Sequence, residues 1–236
     1  MNIVVIGGSG AIGSALTNNL SKLYNNAIIH SFSSKVQKTL LSNVYTYQIA
    51  YDDEDSIEKS ANIFSNKELD LVIVSTGFLH STEVMPEKSL KDLSSNKFHY
   101  LFQKNTILPA ILAKHFVPKL NKNKRSIFAA LSARVGSISD NKLGGWYSYR
   151  SSKAALNMII KCLAIEISRI NKYPIIVGLH PGTVDSNLSK PYQGNLKKHQ
   201  LFTPDFSAKK LIKVIQSLNQ NDSGRCFAWD QKEISP

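Results

Sequence analysis

The sequence predicts a single α/β domain: a parallel, doubly wound sheet of about seven strands with helices on both faces. Three observations predict it. Short, continuous apolar runs alternate with stripes of helical period along the chain, the pattern of strand-helix-strand units joined by right-handed crossovers. The first run, Ile3-Val4-Val5-Ile6, leads straight into Gly7-Gly8-Ser9-Gly10-Ala11-Ile12-Gly13, and Ile12, Ala15, Leu16, Leu20 and Leu23 then recur at helical spacing. The 236 residues, 42% of them hydrophobic, suffice for one sizeable core, and no linker, repeat or low-complexity tract divides them.

Residues 3–6 are apolar at every position, as a central strand buried on both faces requires. The glycines that follow permit a sharp turn and close approach of a phosphate, and the helix start supplies free N–H groups and a positive dipole end. Gly7, Gly8, Ser9, Gly10, Ala11, Ile12 and Gly13 are therefore the expected pyrophosphate site of a dinucleotide in a Rossmann-type fold. The second strand is expected at 27–32. An acid at its end would hold the adenosine ribose hydroxyls of NAD, and His30-Ser31-Phe32-Ser33-Ser34-Lys35 contains none. Ser31, Ser33 and Ser34, with Lys35, suit a 2′-phosphate instead, which predicts NADP, with NAD as the alternative.

The remaining elements follow in order. Strands are expected at 44–49, 69–74, 126–131, 175–179 and 225–229. Asp53, Glu54 and Asp55 mark the acidic first turn of a helix, and Ser75-Thr76-Gly77 ends the fourth strand. A helix is expected within 86–104. Ile107, Leu108, Ile111, Leu112 and Phe116 form the stripe of another, which stops near Pro118. Residues 132–148 read as a loop, followed by a helix to about 170 and a last helix at 205–218.

That long helix begins with Tyr149-Arg150-Ser151-Ser152-Lys153. Residues four apart share one helix face, one turn from each other. A free phenol, with a pKa of about 10, is a poor acid and a poor base near neutrality. A lysine ammonium beside it favours phenolate, so Tyr149 is expected to have a lowered pKa and to exchange a proton with a substrate oxygen. The spacing gains its meaning from the glycine turn at the other end of the domain.

Net charge is +12 and the pI about 9.6, which permits contact with anions. The basic residues are spread along the chain, and the densest group, Lys119, Lys122, Lys124 and Arg125, fits a solvated loop. No aromatic-basic interleaving points to nucleic acid. No apolar run is long enough to span a bilayer, and nothing at the N-terminus resembles an export signal, so the expected location is cytoplasmic. The two cysteines, Cys162 and Cys226, are expected to be reduced core residues. The six histidines show no metal-ligand spacing.

These motifs, taken together, resemble the classical short-chain dehydrogenases/reductases over essentially the whole chain. The stretch Ile6 to Gly13 is similar to the family's glycine loop, and Tyr149 to Lys153 matches its Tyr-x-x-x-Lys. Pro181-Gly182-Thr183-Val184-Asp185-Ser186 resembles the segment that holds the nicotinamide amide. More narrowly, residues 131–138, 144–150 and 179–184 resemble the C-factor-like branch. The resemblance implies an NAD(P)-dependent oxidoreductase that interconverts a carbonyl and an alcohol. Tyr149 would be the acid/base, Lys153 would hold the nicotinamide ribose and lower the tyrosine pKa, and Asn105 would order a water on a proton path.

Further cofactor contacts are implied at Ser75, Thr76, Gly77, Pro181, Gly182, Thr183, Val184 and Ser186. Ser132 is the candidate, by chain order, for the serine that holds the substrate carbonyl. Alignment on Gly136 places that role at Ala133, and Ser137 is a third choice. Ser75-Thr76-Gly77 stands where the family has Asn-Ala-Gly, and Ala50 stands where an aspartate often touches adenine. The alternative function is a dinucleotide-binding regulatory protein with little turnover. An extended-branch epimerase or dehydratase would need a longer chain.

Two further expectations concern surroundings. Phe78, Leu79, Trp146 and Tyr147 follow strand ends and are expected to line an apolar substrate pocket. The long helix carries Ala154, Ala155, Met158, Ile159, Cys162, Leu163, Ile165 and Ile167, more than the single stripe needed to pack on a sheet. With the resemblance, this predicts a homodimer or homotetramer.

Overall fold

A computed structural model describes residues 1–36, 38–194 and 200–236. Its seven-stranded sheet is parallel throughout. The strands are β1 (Asn2–Ile6), β2 (Ile28–Ser33), β3 (Val44–Gln48), β4 (Leu71–Val74), β5 (Ser126–Leu131), β6 (Pro174–His180) and, near the C-terminus, β9 (Cys226–Ala228). Their order across the sheet is β3-β2-β1-β4-β5-β6-β9, so the direction of winding switches between β1 and β4. The pair β7 (Thr183–Val184) and β8 (Leu201–Phe202) stands apart and was not expected from the sequence.

Helices cover both faces: α1 (Ala11–Leu23) and α6 (Pro204–Ser217) one, and α2 (Glu54–Asn62), α4 (Leu108–Phe116) and α5 (Tyr147–Ile170) the other. The reason is the two-residue period of a strand. In β1, Ile3 and Val5 pack with Leu16 and Leu20 of α1 and Leu211 and Ile215 of α6. Val4 and Ile6 pack with Ile57 of α2, Leu112 and Phe116 of α4, and Leu156 and Ile160 of α5. Ile3, Val4, Val5 and Ile6 are all fully buried, each contributing roughly 1.5–3 kcal/mol. With a core on either side, these four positions are apolar without alternation.

Several boundaries moved. Leu69 forms only an isolated bridge to Leu120, and the Asp70 carboxylate accepts the Asn2 N–H, so β4 begins at Leu71. The helix expected within 86–104 is present and short. Leu90–Asp92 is a 3₁₀ turn, α3 runs over Ser95–Phe102, and Gln103–Ile107 is a π-helical turn leading into α4. Both cysteines are free thiols. Cys226 is buried, whereas Cys162 is exposed, against expectation. The buried face of α5 runs through Lys153, Leu156, Ile160 and Ala164, and Cys162 sits two residues from Ile160, on the far side of the helix.

Candidate active site

The parallel register brings the carboxyl ends of β1, β4, β5 and β6 to one edge. There a cavity of about 450 Å³ opens, close to the switch in winding. The glycine turn forms one end. Gly7 has φ +91°, and the Gly7 and Gly8 N–H groups both donate to the Phe32 carbonyl, at 2.9 and 3.0 Å. A Cβ on Gly13 would lie 2.1 Å from the Gly7 carbonyl oxygen, and one on Gly8 would lie 2.0 Å from Ser31 Oγ. Gly7, Gly8 and Gly13 thus shape the turn, and Ser9, Gly10, Ala11 and Ile12 line the cavity. Helix α1 starts after Gly10 with no side-chain cap and no acid in its first turn, so its positive end is uncompensated.

Next to the turn, Ser75 Oγ donates to the Ile6 carbonyl at 2.7 Å and ties β4 to β1. Thr76 lines the cavity, and its Oγ1 is buried without a partner among the described residues. Ser31 lies against Gly8, Ser33 turns inward and donates to the Lys35 carbonyl, and Ser34 and Lys35 are exposed. Across the cavity, Gly182 has φ +77°, and Thr183 and Val184 are held by β8. Pro181, Gly182, Thr183, Val184 and Ser186 all line the cavity wall.

Tyr149 and Lys153 occupy successive turns of α5, 8% and 3% exposed, and both face the same cavity. Lys153 Nζ donates to the Leu131 carbonyl at 2.9 Å. Burial drives its ammonium down to about 8. The tyrosine does not follow the sequence expectation. Burial pushes its phenol up to about 12, because taking a phenolate out of water is costly. Asn105 lies in the π-helical turn, fully buried. Its amide donates to the Phe78 carbonyl at 2.9 Å and to Ser152 Oγ at 3.2 Å, and its Oδ1 accepts the Phe78 N–H at 2.8 Å. Gly77 leaves the space where Lys153 Nζ and Asn105 Oδ1 converge, 3.8 and 3.9 Å from where its Cβ would be.

The serine candidates separate. Ser132 lines the cavity beside Ala133, and its hydroxyl donates to Asn157 Oδ1 at 2.6 Å. Ser137 accepts the Asp140 N–H and is not part of the lining. Of the four expected pocket residues, Leu79 and Trp146 line the cavity. Phe78 instead packs edge-on against Tyr100, because neighbours in extended chain point opposite ways. Tyr147, 38% exposed, turns away from Trp146 at the start of the helix. The sequence reading missed Leu131, Val135, His180, Leu188 and Tyr192, which complete the walls. His180, preceding Pro181-Gly182, was the one with a local signal. Burial holds its imidazole neutral, down to about 4.

The cradle fits a dinucleotide: a turn that side chains would fill, an unmatched helix start and an orphaned Thr76 hydroxyl. Among the described residues, no cluster of histidine, cysteine or carboxylate groups fits a metal ion, and no helix is long and apolar enough to cross a membrane.

The family profile of the short chain dehydrogenases matches residues 1–197. A 1-hydroxy-2-glutathionyl-2-methyl-3-butene dehydrogenase of Rhodococcus sp. (strain AD45) is 33% identical over 172 residues, 73% of this chain and 71% of that protein. The C-signal of Myxococcus xanthus is 31% identical over 133 residues, 56% of this chain and 75% of that protein. In fold, the chain resembles the NADPH-bound carbonyl reductase from chicken fatty liver. That match has a TM-score of 0.83 at 24% identity and covers 100% of this chain and 98% of that one. It equally resembles the carbonyl reductase Sniffer of D. melanogaster, with a TM-score of 0.84 at 20% identity over 100% and 99% of the two chains. The chain therefore belongs to the short-chain dehydrogenase/reductase family, with C-factor-like relatives, and is an NAD(P)-dependent oxidoreductase that interconverts carbonyl and alcohol groups.

Proposed function

We propose that this enzyme reduces an apolar ketone or aldehyde with NADPH, Tyr149 giving the proton to the nascent alkoxide. The observation that carries this reading is the buried Tyr149-Lys153 pair, one helical turn apart, lining the same cavity as the glycine turn and the 181–186 segment. Burial keeps the phenol protonated at neutral pH, so it holds the proton that reduction requires; Lys153 would have to ease its release as the alkoxide forms. Bound cofactor supplies the hydride. The chain supplies the rest. Lys153, one helical turn away, places a positive charge beside the developing oxyanion. The Leu131 carbonyl and the Gly77-Asn105 corner fix where that charge sits. Ser132 directly follows Leu131, whose carbonyl holds Lys153, and lines the same cavity; release from Asn157 would free its hydroxyl for the substrate oxygen.

Cofactor would be held by the turn from Gly7 to Gly13, by Ser75, Thr76 and Gly77, and by Pro181, Gly182, Thr183, Val184 and Ser186. Preference for NADPH is supported by the lack of an acid at the end of β2, by Ser31 against Gly8 of the glycine turn, and by the exposed Ser34 and Lys35 that follow the strand. An apolar substrate is supported by the walls of Leu79, Leu131, Val135, Trp146, Leu188 and Tyr192. We also infer a cytoplasmic homodimer formed through α4 and α5. Met158, Ile165 and Ile170 of α5 are 64, 43 and 75% exposed, an apolar surface that a partner helix would cover.

Fluorescence titration with NADPH and NADH, followed by turnover on a panel of aryl and alkyl carbonyl compounds, tests the proposal. Tighter NADPH binding and NADPH oxidation with apolar carbonyls are expected. Tighter NADH binding overturns the cofactor assignment, and binding without turnover on any carbonyl overturns the rest. Light scattering tests assembly against the monomer mass of 26.2 kDa.

A further inference from the structure

Glu87 lies in the segment between β4 and α3 and is only 1% exposed. Glutamate is almost never buried so deeply without partners. Its partners are at the start of α5, about sixty residues downstream. The Glu87 carbonyl accepts the Trp146 N–H at 2.6 Å, and its Oε2 accepts the Ser148 N–H at 3.2 Å. The first N–H groups of a helix find no acceptor within it, and Trp146, at the cap position of α5, offers no side-chain acceptor. Glu87 does the capping from a distance, through its backbone carbonyl and Oε2, while its Oε1 is buried without a partner among the described residues.

The chain entering α5 is left-handed for three residues: Gly144 at φ +63°, Gly145 at +62° and Trp146 at +52°. Glycine adopts this conformation freely, whereas a bulky aromatic does so only where its surroundings hold it. The bond from the Trp146 N–H to the Glu87 backbone carbonyl is one such restraint, and the side-chain bond to the Ser148 N–H two residues on is the second. Held this way, the indole stands edge-on to the Tyr149 ring at 6.1 Å and to the Tyr192 ring at 4.8 Å. Tyr149 itself lies in the first turn of α5, the turn Glu87 caps.

We propose that the Glu87 side chain is a positioning element for the acid/base: its bond to the Ser148 N–H anchors the first turn of α5 and, beside the backbone bond from Trp146 to the Glu87 carbonyl, holds the strained entry that sets Trp146 against the Tyr149 ring. This rests on the proposed proton-donor role of Tyr149. The test places Glu87→Ala, Glu87→Asp and Glu87→Gln in a Trp229→Phe background, where Trp146 is the one tryptophan left to report. Carbonyl reduction, NADPH binding and Trp146 emission with acrylamide quenching are measured on each. Glu87→Ala is expected to lower kcat by roughly ten- to hundredfold, as small misplacements of reacting groups do. NADPH affinity should stay within about twofold; the Trp146 bond to the residue-87 backbone carbonyl survives the substitution, but loss of the Ser148 bond is expected to loosen the turn, so that Trp146 emission shifts to the red and quenches more readily. Glu87→Gln keeps an acceptor of the same reach and should restore both kcat and emission. If Glu87→Ala does not fold, Glu87→Asp, one methylene short of Ser148, is expected to show the same losses. Unchanged kcat, unchanged Trp146 emission, or a Gln variant as damaged as the Ala variant would each overturn the proposal. If the parent turns over no carbonyl, the functional reading fails, while the emission series still judges the clamp.

Discussion

Replacing Tyr149 with phenylalanine removes one hydroxyl and little else. The ring packs in a buried cluster with Leu79 and Leu101, and Trp146 lies edge-on to it; none of these contacts uses the oxygen. The variant should therefore fold with a stability change below about 1 kcal/mol, the scale of one hydrogen bond. It should also bind NADPH with nearly unchanged affinity, because the glycine turn, Thr76 and the 181–186 segment are untouched. Chemistry is a different matter. On the proposed reading the hydroxyl is the proton donor, and a positioned general acid contributes about 10²–10⁴-fold, or roughly 3–5 kcal/mol of barrier. In a largely apolar cavity no neighbouring group readily takes its place. Steady-state reduction of the best carbonyl substrate at pH 7, beside a fluorescence titration of NADPH, measures both quantities. A variant retaining more than about a tenth of the parent kcat would refute the assignment of Tyr149.

Lys153 sets a pH limit: its ammonium, driven down to about 8 by burial, is charged below that pH and neutral above it. The reduction rate is therefore expected to fall as pH rises through about 8, while the phenol, at about 12, stays protonated; a rate flat to pH 10 would contradict this. Gly13→Ala would put a methyl 2.1 Å from the Gly7 carbonyl and 2.6 Å from Ser75 Oγ. Overpacking of this kind costs about 1–3 kcal/mol, so NADPH affinity should drop by roughly ten- to hundredfold, read by the same titration. His30 and His180 are both held down to about 4 by burial, against about 6.5 in the unfolded chain. The unfolded state takes up their protons first, so stability is lost as pH falls from about 6.5 to about 4. His180 accounts for about 3 kcal/mol of that loss, and urea midpoints across the range should show it.

What could be read from the sequence was local. The run Ile3 to Ile6, the glycines to Gly13 and the stripe after them are contiguous, so their order alone specified strand, turn and helix. Tyr149 and Lys153 are one turn apart, so helical spacing alone put them on one face. The aromatic neighbours show where this reach ends. Phe78 and Leu79, or Trp146 and Tyr147, are equivalent as sequence, and only the direction of the backbone sent Leu79 and Trp146 into the cavity. Trp146 does so from a left-handed conformation that no residue preference would suggest.

Three things were decided by tertiary structure alone. The strand order joined residues 7–13 to residues 149–153 across more than a hundred positions, because β1, β4 and β5 are neighbours in the sheet. The side of α5 on which a residue falls relative to the packed face exposed Cys162 while burying Ile160. The direction of the Tyr149 shift reversed the expectation from its lysine neighbour. Charge pairing can be read from spacing, but desolvation is a property of everything packed around the group. Here that surrounding includes Leu79 and Leu101, contributed by segments 70 and 48 residues away in the chain.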